Sequence, residues 1–166
     1  VRLASDPRYF RFLSECGGKD VVLGDARLTL TKQPETSQLL VIDAFSSDAI
    51  PLHLLTREAL AAYLTRVSDD GAIVLHISNK YFDLTRILAR TAASVGLQTY
   101  VRLDISQEPM ETRMRASSLV AALARDPAHL GVIANGDGRW VKLAPQDEVT
   151  AWTDDYSNIL SVFQWQ

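Results

Sequence analysis

Short apolar runs that end at a polar residue alternate with stretches of helical spacing along most of the chain. Residues 21–23 (VVL), 39–42 (LLVI) and 72–77 (AIVLHI) are such runs. They are brief and rich in β-branched residues, the pattern of strands buried on both faces of a parallel sheet. Between and after them, residues 57–67 carry Leu60, Tyr63, Leu64 and Val67 on helical spacing. Residues 84–95 form an amphipathic helix with Gly96 as its C-cap. Residues 26–30 start a shorter helix. Thr56 is placed to cap the helix at Arg57, with Glu58 in the first turn, where an acid suits the helix dipole.

The ends read less regularly. Ser5 or Asp6, with Pro7 at the first position, opens a short helix whose Tyr9, Phe10, Phe12 and Leu13 form a packing side, closed by Gly17-Gly18. The polar run 68–71 (SDDG) reads as a turn. Residues 97–103 and 118–123 read as two strands of a closing hairpin, 140–143 as a small strand and 152–158 as an acid-rich turn. The expected fold is α/β: one domain over 1–166, with a mostly parallel sheet and helices on both faces. Open sheets of this kind take ligands in the loops at the carboxyl ends of their strands. Gly24-Asp25, the 43–51 loop and 76–81 all fall there. Asp43 and Asp48, on one strand-to-helix loop, suit a cationic or amine-bearing ligand; they could equally hold a metal or brace the loop.

Composition narrows the field. With 166 residues, 47% of them hydrophobic, the chain is large enough for one domain with a sizeable core. A net charge of −3 gives no footprint for nucleic acid. No apolar stretch approaches the ~20 residues that cross a bilayer. Cys16 is the single cysteine, so no internal disulfide forms, and its neighbours Glu15 and Gly17 offer nothing to activate a thiol. The three histidines have neither cysteine partners nor helical i, i+4 pairing, which argues against a zinc site. His53 and His76 read as packing or hydrogen-bonding side chains, Arg27 as a salt-bridged or solvated one ahead of one that meets a phosphate or carboxylate ligand, and Asp154-Asp155 as a capping turn ahead of a segment that closes over the site. The start at Val1 reads as that of an excised or processed piece of something longer.

GDARLTL (24–30), DAFSSDAIP (43–51) and GAIVLHISN (71–79) resemble the spermidine and spermine synthases, above all the synthase-like domains that follow a membrane transporter in one bacterial polypeptide. The resemblance runs from about Asp6 to the TDDYSN segment. It implies the class I methyltransferase-like (Rossmann-like) fold, truncated at its N-terminal strands and lacking the glycine-rich cofactor loop. It also implies aminopropyl transfer from decarboxylated S-adenosylmethionine to an amine, releasing methylthioadenosine, with no metal. Asp25 matches the acid that accepts the adenine amino group, and Ala26 the backbone contact that follows. Pro51 and Leu55 match the apolar side of the adenine slot. Asp43 matches the acid nearest the attacking amine, in a general-base role, and Asp48 would be a second anchor for the cationic substrate.

Typical synthases space the two acids more closely and follow them directly with proline, whereas here Asp43 and Asp48 are five residues apart and Pro51 comes later. The expected partners are a small-molecule amine and a nucleoside co-substrate, not nucleic acid. A homodimer and attachment to a membrane transporter domain stay open. The implied location is the cytoplasm, either free or tethered to the inner membrane through a parent polypeptide. Two other function classes also stay open. One is a methyltransferase using S-adenosylmethionine; the other is a non-catalytic module that senses a nucleoside or polyamine.

Overall fold

The computed structural model describes residues 6–11, 15, 21–44, 51–106, 117–136 and 138–163. Helix α1 spans Ala26–Leu30, and strand β1 spans Ser37–Ile42. A 3₁₀ turn at Leu52–Leu54 leads into α2, Arg57–Leu64. Then come β2 (Val67–His76), α3 (Thr85–Ala93), β3 (Gln98–Asp104) and β4 (Ser118–Ala124). A short 3₁₀ turn, the four-residue α4 (Val132–Asn135) and β5 (Val141–Leu143) follow, and another 3₁₀ turn, Ile159–Val162, comes near the end.

The strands form one open sheet in the order β1-β2-β4-β3-β5. The expected α/β class is what forms, with a β1–α2–β2 crossover joining parallel neighbours. The balance of pairings differs from the expected mostly parallel sheet. Only β1–β2 is parallel among the described strands, while β2–β4, β3–β4 and β3–β5 are antiparallel. The reason lies in the hairpin expected at 97–103 and 118–123: β4 folds back between β2 and β3, so each of its two contacts is antiparallel.

Alternation along β2 sorts its side chains. Ile73, Leu75 and Ile77 enter the main core with Leu60 and Tyr63 of α2, Ile87 and Leu88 of α3, Ala121 and Leu123 of β4, and Trp152. On the opposite face Ala72 and Val74 join a smaller cluster around Tyr100, Ala122 and Leu130. Thr56 caps α2 as expected, accepting from the Ala59 amide at 3.2 Å.

Three local expectations are corrected. Residues 21–23 are not a strand: they carry no regular structure and are exposed, and although Val22 shares a hollow with Leu40 and Ile42 of the edge strand β1 they do not join its ladder. Tyr9 and Phe10 are exposed instead of packing. Asp6 closes a turn there, its backbone carbonyl accepting from the Tyr9 and Phe10 amides and its carboxylate from the Arg8 amide. Phe12, Leu13, Gly17 and Gly18, also assigned to that helix, lie outside the described residues, as does Cys16. The 68–71 run is not a turn between elements but an irregularity inside β2. Ser37 pairs with Val67 and Leu39 with Ala72, so extra residues of β2 bulge between them. Gly71 is buried in that bulge, where a Cβ would stand 2.7 Å from the Gln38 carbonyl oxygen and 2.5 Å from Val67 Cγ1.

Candidate functional site

Asp43 follows directly on β1, and the parallel register that sets Ile42 beside Leu75 brings it level with His76 at the end of β2. The two side chains meet, His76 Nδ1 lying 2.8 Å from Asp43 Oδ1. The other ring nitrogen, Nε2, is 2.7 Å from Ser78 Oγ, and Ser78 Oγ accepts the Leu119 backbone N–H at 2.7 Å. The Asp43 carboxylate is 68% exposed, against 35% for the His76 side chain. An ionised carboxylate only accepts, so Nδ1 is the donor to Asp43, and Nε2 of the neutral ring then accepts the Ser78 hydroxyl proton. Sequence reasoning left His76 as a packing or hydrogen-bonding side chain and did not give it this partner. The signal was present in the two apolar runs, since aligning 39–42 with 72–75 in parallel puts position 43 beside 76.

The order Ser–His–Asp is that of a nucleophilic triad, but Ser78 sits differently. Ile77 donates its amide to the Leu119 carbonyl at 2.9 Å, and Ser78 Oγ takes the Leu119 amide in return. Ser78 thus extends the β2–β4 ladder and ties the chain of contacts to the sheet.

Asp25 does two things. Oδ1 accepts the Leu28 amide at 3.0 Å, capping α1, and Oδ2 lies 3.5 Å from His53 Nε2. Ala26 lines a hollow of about 460 Å³ with Val22, Gly24, Leu30, Leu40 and Ile42, next to the strand end that carries Asp43. Pro51 lines a separate hollow of about 440 Å³ with Arg27, His53, Thr56 and Asp154. The structure thus brings Asp25 to the His53 edge of the second hollow, and Ala26 to the first. Leu55, expected beside Pro51 on the apolar wall, is buried in the main core and lines neither hollow, because the 3₁₀ turn before α2 points Leu54 and Leu55 inward. Asp48 lies outside the described residues.

The second hollow is walled by a tight polar cluster. Arg27 Nη1 and Nη2 donate to Asp154 Oδ1 and Oδ2, both at 2.7 Å, and Thr56 Oγ1 donates to Oδ1 at 2.7 Å. The Arg27 and Thr56 hydrogen bonds hold the Asp154 carboxyl down at about 2, and the same contact raises Arg27. Glu58 accepts the Asp154 amide at 3.0 Å. Arg27 is therefore salt-bridged, one of the two states expected, and Asp154 ties α1 to the start of α2. Nearby, burial pushes the Tyr63 hydroxyl up to about 12, and it donates to the Leu54 carbonyl at 3.2 Å. Among the described residues there is no group of three or more metal-type side chains, and no helix is long and apolar enough to cross a membrane.

No family model matches the sequence, and no curated protein matches it either. Among solved structures the chain is similar to MnmC2 from Aquifex aeolicus, with 20% identity over 76% of this chain and a TM-score of 0.40. The chain spans about a third of that structure's length, 32%.

Proposed function

We propose that this segment forms part of a transferase that moves an aminopropyl group from a sulfonium nucleoside, decarboxylated S-adenosylmethionine, to an amine. The observation that carries the proposal is the Asp43 carboxylate, fixed by His76 at the carboxyl end of a strand while most of its surface faces outward. Ligands of open α/β sheets bind at such ends. An ammonium cannot attack, because its lone pair holds a proton. A carboxylate within hydrogen-bond reach orients the amine and takes up that proton. The amine nitrogen then forms a bond to the aminopropyl carbon attached to sulfur, that carbon–sulfur bond breaks with its electron pair going to sulfur, and methylthioadenosine leaves.

The hollow lined by Gly24, Ala26, Leu40 and Ile42 suits the nucleoside in size and in its largely apolar walls. Asp25 precedes Ala26 in the chain but faces His53 and does not line this hollow. Its oxygens have acceptor capacity beyond the Leu28 amide, so it would take the N–H of an adenine amino group that reaches past Ala26 toward His53. Methyl transfer from S-adenosylmethionine is the second reading. It stands beside the first because the contacts proposed for Asp25 and Asp43, to the adenine and the amine, would serve either donor. Attachment to a transporter belongs to the same proposal, through the resemblance of the three motifs.

The test is product analysis. The chain, in its native polypeptide, is incubated with either nucleoside donor and a linear diamine, and products are weighed by mass spectrometry. Methylthioadenosine with an aminopropylated amine supports the first reading, and a methylated amine the second. No transfer from either donor leaves a binding module.

A further inference from the structure

We propose that His76, held in place by Ser78, is a positioning residue that fixes the Asp43 carboxylate for its proton-accepting role. The inference rests on the reading of Asp43 given above. The geometry points to it through four linked groups: the Leu119 amide donates to Ser78 Oγ at 2.7 Å, Ser78 Oγ lies 2.7 Å from His76 Nε2, and His76 Nδ1 lies 2.8 Å from Asp43 Oδ1, which as a carboxylate oxygen accepts. The chain begins at a backbone amide of β4, whose place is set by ladder pairing on both sides, so its origin is rigid. A carboxylate on a strand end turns about its own side-chain bonds, and 68% exposure leaves little packing to stop it. The ring supplies the missing constraint. It holds one oxygen of Asp43 and leaves the other for an amine, and constellations that do chemistry need this kind of support.

The direction of donation matters as much as the distance. Ser78 Oγ already accepts the Leu119 N–H, so its own proton is free to go to Nε2. That arrangement selects the tautomer with the proton on Nδ1, the one able to donate to a carboxylate. Replacing His76 by Asn keeps a donor near the Nδ1 position, because the Asn amide nitrogen is the same number of bonds from the backbone. Leu keeps bulk but offers no donor.

Two measurements test the proposal on the chain in its native polypeptide. The first is ¹⁵N NMR of the His76 ring in its neutral form, with the proton expected on Nδ1 in the wild type and a loss of that preference in Ser78→Ala. A proton on Nε2 in the wild type overturns the proposal whatever the activity. The second is steady-state transfer to a linear diamine, with thermal melts of each variant. His76→Leu should lower kcat roughly tenfold to a hundredfold, the range for groups that orient a contact residue, with KM and melting close to wild type. His76→Asn should restore most of the loss. Full kcat in His76→Leu overturns the positioning role while leaving the function of Asp43 standing. Absence of transfer by the wild type removes the function and the role together, so the two failures are distinguishable.

Discussion

Arg27 and Asp154, 127 residues apart in sequence, meet fork to fork, with both guanidinium nitrogens 2.7 Å from the two carboxylate oxygens. Asp154 also takes the Thr56 hydroxyl, and Thr56 is the cap of α2. One carboxylate therefore joins α1, the C-terminal loop and the start of α2. Without it, the two helix starts beside the hollow lined by Pro51 and His53 lose a shared anchor.

The stabilisation from Asp154 should fade in acid. Its folded carboxyl is held at about 2 by Arg27 and Thr56, below the ordinary 3.8. A depressed acid favours the folded state above its unfolded pKa, and that contribution is lost as pH falls from about 4 through 2. Asp154→Asn should therefore be less stable than wild type at pH 7, with the two melting curves converging as pH falls through that window. The Asp154 side chain is 42% exposed, so solvent screening keeps the coupling with Arg27 small. A double-mutant cycle should give about 1 kcal/mol.

Tyr63 makes the opposite prediction at high pH. Burial raises its hydroxyl from an ordinary 10.0 to about 12, so the neutral form is the one the fold favours. That contribution is complete below pH 10 and is lost as pH rises through 12. Wild type should lose stability over this window relative to Tyr63→Phe, and ultraviolet titration should show one tyrosine ionising late. At neutral pH, Tyr63→Phe gives up the hydrogen bond to the Leu54 carbonyl and should cost about 1 kcal/mol.

Gly71 is fixed by close approach. A methyl group there would stand against the Gln38 carbonyl, which belongs to the neighbouring strand and cannot rotate away. Gly71→Ala should destabilise by about 1–3 kcal/mol, the cost of overpacking. Chemical denaturation reads it directly. Gly96→Ala is a contrasting control, since nothing crowds its Cβ position and only its positive φ of 79° penalises the change.

Asp25→Asn separates capping from recognition. Asn caps a helix about as well as Asp, so α1 should survive. Toward adenine, however, the amide presents a donor to a donor. Methylthioadenosine binding should weaken by about 1–3 kcal/mol, roughly tenfold to a hundredfold, in calorimetry on the native polypeptide. Equal affinities would show that Asp25 serves the helix and His53 alone.

Apolar periodicity carried β2, α2, α3 and the hairpin, because each buries one consistent face or run, and burial is what a hydrophobic pattern reports. Strand β1 forms as expected but is not the buried strand its apolar run suggests, since Leu39 and Val41 are exposed and only Ile42 is buried. Periodicity misassigned 21–23 because three apolar residues in a row are too short a run to specify a strand; they stay exposed near the edge strand β1 without joining its ladder. It misread 68–71 because Ser, Asp and Gly mark a bulge and a turn with the same residues; the pairing partner Ser37 decides between them. In the site, strand ends were legible, which is why Asp43 stands at the end of β1 as the apolar run 39–42 predicts. The partners of Asp43, Arg27 and Asp25 were not, since a contact such as Arg27–Asp154 depends on how distant loops fold together. Leu55 shows the same limit from the other side. An apolar residue near a proline fits a ligand wall or a core equally well by sequence, and the 3₁₀ turn sends it to the core.

The central claim is that Asp43 removes a proton from an attacking amine. The most direct measurement is steady-state aminopropyl transfer by the native polypeptide carrying Asp43→Asn, set beside its thermal melt. Asn keeps the shape and can still hydrogen-bond, but it takes up no proton. The account predicts turnover lowered by about 10²–10⁴-fold, the range for a lost general base, with melting unchanged because the side chain is exposed. Turnover equal to wild type in a folded Asp43→Asn protein would contradict it.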